Sequence, residues 1–201
     1  MTHYDMEARR ILRAAWAVLE RSQFRTLKIR QVMLAANTSA SNFYRHFPTK
    51  AHLLLALLEV ETARTDRLLA ERIAAADSTP ARLRAWLAFN IRTVYHPARA
   101  ERARLFLDPD LLEELPNQVH RLHEVMGVRL VEVIRAGMAE QVFRSGNPEL
   151  DAAMVRNLMR GLVANGLLGQ LAESEDETVD RAHDFVMRAL SPVQVAYPLV
   201  I

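Results

Sequence analysis

Apolar residues recur along nearly the whole chain at the spacing of one helix face. In the first such stripe, Ile11, Ala15 and Leu19 are four residues apart, and charged residues occupy the opposite positions. This spacing is typical of an amphipathic α-helix with one buried side. No segment sustains the alternation of a strand, so the sequence predicts an all-α fold. The predicted helices lie at about 5–22, 28–35, 39–45, 50–75, 80–95, 98–107, 108–115, 117–143, 149–172 and 176–190.

Capping and breaking residues separate these helices. Residues 37–39, Asn-Thr-Ser, tolerate left-handed backbone or cap a following helix, so they indicate a tight turn between the second and third helices. Thr49 precedes a long apolar stripe and is expected to cap the fourth helix. Leu34 and Phe43 are expected to point into the apolar seam between the second and third helices.

Charge is distributed unevenly along the chain. Residues 1–50 carry nine Lys or Arg and three acidic residues, a net charge of +6, against a total of +2, so the remainder carries −4. A basic segment joined to a mildly acidic remainder is typical of a chain with one end that meets a polyanion. A solvated basic face without a partner is the alternative.

The chain contains no cysteine. This excludes a disulfide framework, a cysteine zinc site, a thiol nucleophile and an iron–sulfur cluster, and it suits a reducing cytoplasm. The N-terminal ten residues lack the apolar region of a signal peptide, and no run of 18 apolar residues occurs. We therefore expect a cytoplasmic protein without a membrane partner.

The second and third helices, with the tight turn between them, have the proportions of a helix-turn-helix. The third helix would enter the major groove, where its small and polar side chains suit phosphates and base edges. For Tyr44, packing on the first helix is the structural alternative. The candidate DNA-binding residues are Lys28, Thr38, Ser39, Ser41, Asn42, Tyr44, Arg45, His46 and Lys50.

Residues Phe43 to Leu54 carry the pattern Phe-Tyr-x-His-Phe-x-x-Lys-x-x-Leu-Leu. With the apolar positions that begin near residue 8, this pattern resembles the N-terminal domain of the TetR family of bacterial transcriptional regulators. The chain departs from that family in four places: Gln23 and Asn37 stand at usual glycines, Leu27-Lys28 replaces a Thr-Ser pair, and Gln31 replaces a frequent acidic residue. Asparagine is the next best occupant of a left-handed position, so the departure at Asn37 costs little.

The resemblance implies a three-helix DNA-binding domain at residues 1–50. It also implies a larger helical domain at 51–201 that binds an effector and dimerises, with the helix at about 50–75 linking the two. In the family, the positions of Tyr44 and Lys50 contact phosphate, and that of His46 lies close to the DNA backbone.

The larger domain offers an apolar pocket with a few polar anchors, which would suit a small apolar or amphipathic effector. Plain core packing is the alternative for the same residues. The candidate lining residues are Trp86, Phe89, Asn90, Tyr95, Phe106, His123, Met126, Met154 and Asn157.

Each glycine within the ninth predicted helix lowers helix stability by about 1 kcal/mol relative to alanine. Close approach of two helices across a dimer axis would explain why glycines stand at these positions. The alternative, for Gly169 in particular, is a helix end. The candidate dimer residues are Val128, Val131, Gly161, Ala164, Asn165 and Leu168.

No recognisable catalytic motif accompanies these features. No histidine follows a glutamate by three residues, as di-iron bundles require, and neither a Gly-x-Ser-x-Gly elbow nor a phosphate-binding Gly-Lys loop occurs. We therefore expect no enzyme activity, cofactor or metal. The first hypothesis is a homodimeric repressor that an effector releases from a palindromic DNA operator. The alternative is a helical ligand-binding or scaffolding dimer without specific DNA binding.

Overall fold

The computed structural model describes residues 5–22, 27–105 and 107–192. Over these ranges the chain is helical without a strand, so the all-α prediction is confirmed. The helices are α1 (Met6–Arg21), α2 (Ile29–Ala35), α3 (Ala40–His46), α4 (Lys50–Ala74), α5 (Thr79–Tyr95), α6 (Pro97–Leu105), α7 (Pro109–Glu114), α8 (Pro116–Ala139), α9 (Pro148–Leu167) and α10 (Glu175–Leu190).

Two compact units make up the chain. Unit 1 comprises Met1–Arg67 and His96–Met126, and unit 2 comprises Leu68–Tyr95 and Gly127–Ile201. Unit 1 therefore groups α6, α7 and the start of α8 with the N-terminal helices. The functional division at residue 50, into a DNA-binding and an effector domain, stays a prediction.

The buried face of α1 anchors unit 1. The carboxylate of Asp5 caps this helix by accepting from the backbone N–H of Ala8 at 2.8 Å. Ile11, Ala15 and Leu19 are completely buried, as their spacing predicts. They join one apolar core with residues from α2, α3, α4, α7 and α8.

The turn between α2 and α3 has the left-handed residue that the sequence predicts. Asn37 has a φ of 47°. Its N–H donates to the carbonyl of Leu34, and the next N–H, of Thr38, donates to the carbonyl of Met33, both at 3.1 Å. These two bonds form a Schellman helix end. Ser39 then caps α3 by accepting from the N–H of Asn42 at 3.2 Å.

Phe43 is completely buried, as expected, but the prediction for Leu34 is wrong, because this residue is 73% exposed. Val32 of α2 and Ala36, the C-cap of this helix, enter the core and are one helical turn apart. Leu34 lies midway between them, about 200° around the helix from each, and so faces away from the core.

Thr49 caps α4 as the sequence predicts, because its hydroxyl accepts from the N–H of His52 at 3.3 Å. The prediction for the end of α8 is wrong, since this helix stops at Ala139 and not near residue 143. Gln141 adopts a φ of 59°, and the N–H of Val142 returns to a carbonyl within α8 at 2.9 Å. A left-handed glutamine ends the helix here without a sequence signal.

The predicted end of α9 is also wrong, since the helix stops at Leu167 and not near residue 172. Gly169 has a φ of 71°, so it marks the helix end, as the alternative reading proposed. Gly166 allows close packing within unit 2, because a Cβ there would lie 2.5 Å from the Val94 side chain. Gly161 has open space around its Cβ position.

Unit 2 is built around α5, which packs against α9 and α10. Leu83, Leu87 and Ile91 form its buried face. At the end of the helix, the hydroxyl of Tyr95 donates to the carbonyl of Glu173 at 2.9 Å. The same hydroxyl lies 2.6 Å from the hydroxyl of Thr178. Among the described residues, no helix combines the length and apolar character needed to cross a bilayer.

The left-handed turn yields a test of stability. Replacing Asn37 with alanine should lower the free energy of unfolding by about 1 kcal/mol, because a left-handed backbone costs most residues roughly 1–2 kcal/mol, whereas asparagine adopts it more readily. Replacing it with glycine should preserve stability. Chemical denaturation followed by circular dichroism measures both variants, and equal stability of the two would contradict the assigned backbone.

Candidate nucleic-acid interface

Helix α3 presents one buried and several exposed side chains. Phe43 is fully buried, while Ser41, Tyr44 and Arg45 are exposed. The ring of Tyr44 packs edge to face against Phe43, with centroids 5.3 Å apart, yet 49% of the residue remains accessible. The tyrosine is therefore held in position by its ring, and its outer part remains open to a ligand.

His46 lies at the C-terminal end of α3, with 14% of its side chain exposed. Its Nδ1 is 3.8 Å from a carboxylate oxygen of Asp5. Its buried Nε2 has no hydrogen-bond partner among the described residues. The bond from the Ala8 N–H is the largest cause of the lowered pKa of Asp5, and His46 adds a smaller electrostatic contribution.

A carboxylate on α1 organises the start of α3. Oε1 of Glu7 accepts from Asn42 Nδ2 at 2.7 Å and from the Thr38 hydroxyl at 3.2 Å. The same oxygen accepts from Arg10 at 2.6 Å. Asn42 Oδ1 in turn accepts from the guanidinium of Arg45. Sequence reasoning missed Glu7; the one signal for it is an acidic residue in a strongly basic segment.

Lys50 begins α4 and is engaged by α7. Its ammonium lies 2.6 Å from Asp108 Oδ2 and 3.2 Å from Asp110 Oδ2. Next to it, the Thr49 hydroxyl donates to Glu114 at 2.7 Å. Burial lowers the pKa of Lys50, but the hydrogen bonds to the two aspartates outweigh it, so the pKa is raised and the group is cationic at neutral pH.

All nine predicted DNA-binding residues lie in unit 1. The structure gathers Thr38, Asn42 and Arg45 into the Glu7 network and uses the Ser39 hydroxyl as a helix cap. Lys28 is exposed at the N-terminal end of α2. Their roles toward DNA stay predictions.

The predicted effector-binding residues are dispersed. On α5, Trp86 is buried, and Phe89, Asn90 and Tyr95 are partly buried. Met154 and Asn157 lie on the exposed face of α9, and His123 is exposed on the unit 1 part of α8. Phe106 and the side chain of Met126 lie outside the described residues.

Unit 2 has an open cavity of about 360 Å³ that these predictions did not include. It lies between α5 and α10, where Arg84, Arg92 and Asp176 contribute to its lining. The two arginines form ion pairs, each at 2.6 Å, with Asp180 and Glu175. The cavity therefore has a polar and charged rim. The effector-binding residues stay predictions.

An exposed apolar stripe runs along α9. Leu150, Met154 and Leu168 are 56%, 63% and 71% exposed. The full stripe follows the alternating four- and three-residue spacing of a coiled-coil seam; it consists of Leu150, Met154, Asn157, Gly161, Ala164 and Leu168, all exposed. Of the other candidate dimer residues, Asn165 is exposed beside this stripe, Val128 is exposed on α8, and Val131 packs against the core.

Residues 11–57 match the family model for bacterial regulatory proteins of the tetR family. Over 188 residues, the chain is 26% identical to the HTH-type transcriptional repressor KstR of Mycobacterium tuberculosis, a match that covers 90% of this chain and 79% of KstR. By this match, residues 11–57 belong to the TetR family. The matched segment contains the nine candidate DNA-binding residues but excludes Glu7 and α7.

Solved structures share the fold of this chain. A protein of unknown function from Rhodococcus sp. RHA1 has a TM-score of 0.76 and 23% identity, covering 94% of this chain and 98% of its own. The regulator FadR of Bacillus subtilis, solved in complex with stearoyl-CoA, has a TM-score of 0.71 and 14% identity, covering 90% and 98%. The family model and the similarity to KstR confirm the sequence-based resemblance, and the chain is a DNA-binding transcriptional regulator.

Proposed function

We propose that this TetR-family regulator is a repressor that binds a palindromic DNA operator as a homodimer and leaves it when a small effector binds. The observation that carries the proposal is the exposed face of α3, which lies within the segment that matches the family and presents Ser41, Tyr44 and Arg45. The similarity to the repressor KstR supports repression of transcription rather than activation.

The proposed DNA contacts are of two kinds: contacts to phosphates, which position the protein on the duplex, and contacts to base edges, which read the sequence. Lys28 and Lys50 are suited to phosphate, because each presents a cationic donor at a helix N-terminus. Tyr44 is suited to phosphate by its exposed position on α3 and its hydroxyl donor. Ser41 and Arg45 are exposed on α3 and are suited to base edges in the major groove. The nearly enclosed ring of His46 supports the end of α3 close to the DNA backbone.

The exposed seam of α9 supports self-association. A chain with a seam of this spacing buries it most readily against a second copy of the same helix across a two-fold axis. The small residues Gly161 and Ala164 at its centre allow close approach. Two DNA-binding units held in this way match the two half-sites of a palindrome.

Unit 2 is the proposed site of the effector. The presence of stearoyl-CoA in the structure of the related FadR supports an apolar or amphipathic molecule. An effector that favours a different separation of the two α3 helices lowers operator affinity, because it binds the competent conformation less well than the other.

The proposal predicts specific binding to DNA that flanks the regulator's own gene, measured by fluorescence anisotropy with unrelated competitor DNA and a salt titration. Lys50→Ala should weaken specific and nonspecific binding alike and reduce the salt slope by about one per subunit. Arg67→Ala is the control, since it removes a cation about 25 Å further along α4. Binding that is fully competed by unrelated DNA would favour the scaffolding alternative.

Neutralising the partners of Lys50 should strengthen DNA binding. In wild-type protein, Lys50 has to give up its ion pairs with Asp108 and Asp110 before it can bind a phosphate. Asp108→Asn and Asp110→Asn remove this cost, so the affinity of the dimer for DNA should rise about 5-fold or more. Asparagine at position 108 still caps α7. The rise should vanish in a Lys50→Ala background. Glu113→Gln is the charge control on the same helix, and an equal gain there would reduce the effect to general repulsion.

Charge placed on the α9 seam should separate the subunits. Met154→Glu combined with Leu168→Glu should reduce the mass measured by light scattering from that of two 22.9 kDa chains to that of one. Operator affinity should fall with it, since half-sites are then bound independently. Val60→Glu, which alters an exposed apolar residue of α4, is the control. A double variant that remains dimeric would contradict the assigned seam.

A further inference from the structure

We infer that Glu7 is a positioning residue for base recognition, which withholds Asn42 from the DNA bases and directs Arg45 toward a guanine. The inference rests on the proposed function and adds to it a base and the residue that reads it. It draws on one hydrogen-bonded chain that runs from α1 through Asn42 to the exposed guanidinium of Arg45.

The first step concerns the amide nitrogen of Asn42. Its Nδ2 donates to Glu7 Oε1 at 2.7 Å and to the Thr38 hydroxyl at 2.9 Å. An amide nitrogen has two N–H groups, so these bonds use both. An asparagine that reads adenine must donate from this nitrogen to N7 while its oxygen accepts from N6. Asn42, as it is held here, cannot form that pair.

The second step concerns Arg45. Asn42 Oδ1 accepts from one terminal nitrogen of the guanidinium, one helical turn further along α3. A guanidinium has five N–H groups in a rigid planar fork, so four remain for another partner. A fork fixed in direction and exposed on a recognition helix is suited to O6 and N7 of guanine, which it binds with two parallel bonds.

The third step concerns the charge of Glu7. One carboxylate oxygen accepts from Arg10, Thr38 and Asn42, and bonds to a charged acceptor are stronger than neutral ones. A carboxylate beside α3 also repels phosphate. Glu7 therefore lowers nonspecific affinity while it orders the residue that reads a base, and both effects raise the ratio of specific to nonspecific binding.

The experiment uses the full-length regulator and operator duplexes in which single guanines or adenines are replaced by their 7-deaza analogues, which lack the N7 acceptor. Replacing one particular guanine in each half-site should lower the affinity of the regulator for the duplex on the order of 10-fold or more. The affinity of Arg45→Ala should not change with that replacement. If replacing an adenine lowers the affinity, it should do so equally in wild-type protein and in Asn42→Ala.

Glu7 is tested by the same readout. Glu7→Ala should reduce the sensitivity to the guanine replacement while increasing affinity for unrelated DNA, and Glu7→Gln, which retains the acceptor oxygen, should recover part of the sensitivity. Glu113→Ala removes an equal charge from an exposed position of unit 1 and should leave the sensitivity unchanged. Thermal unfolding of each variant separates these effects from loss of folding.

Four results would overturn the inference. An adenine whose replacement matters only when Asn42 is present would make Asn42 the reader. Full guanine sensitivity in Glu7→Ala would remove the positioning role. If wild-type protein prefers its operator to unrelated DNA yet tolerates every guanine replacement, guanine readout is refuted and the proposed function stands. If wild-type protein shows no preference for its operator, the proposed function and this inference are both overturned.

Discussion

The complete burial of one aromatic ring, Phe43, governs how the recognition surface is formed. Helix α3 has seven residues and contributes this single residue to the buried core of unit 1. So short a helix is not stable alone, and its orientation is set by what it packs against. Phe43 lies in the core, and Phe47, the first residue after α3, is also buried. The rotation of α3 about its axis is therefore fixed, and the polar side chains on its other faces are accessible. The Schellman turn at Asn37 and the cap at Ser39 then determine where the helix begins.

The helices and the family were predictable from sequence, because both depend on local pattern. Caps at Ser39 and Thr49 and the left-handed Asn37 follow from residue types that act within four positions. The errors have equally local causes. Gln141 ends α8 in a conformation that glutamine seldom adopts, and Leu34 occupies an apolar position that Val32 and Ala36 leave outside the core.

The candidate site was predictable in its residue types but not in its partners. Lys50 was singled out, yet its aspartates are 58 and 60 residues further along the chain, and no motif connects them. Glu7 lies outside the matched segment and acts on Asn42 across 35 residues. In both cases carboxylates from other helices engage the basic surface. The net charge of +6 in the first 50 residues already counts Glu7 but not Asp108 and Asp110, so it overstates the charge that is free to meet DNA.

The composition of unit 1 has a consequence for modular design. Its residues come from two stretches of chain, and the boundary with unit 2 is crossed at 67–68, at 95–96 and at 126–127. A chimera that transplants residues 1–50 onto another sensor leaves behind α7, whose aspartates engage Lys50, and the α6 arginine Arg102, whose guanidinium stacks over Trp16. Recombination that preserves the whole unit requires three junctions, and the contacts of Lys50 and Trp16 are retained only when α6 and α7 accompany the N-terminal helices.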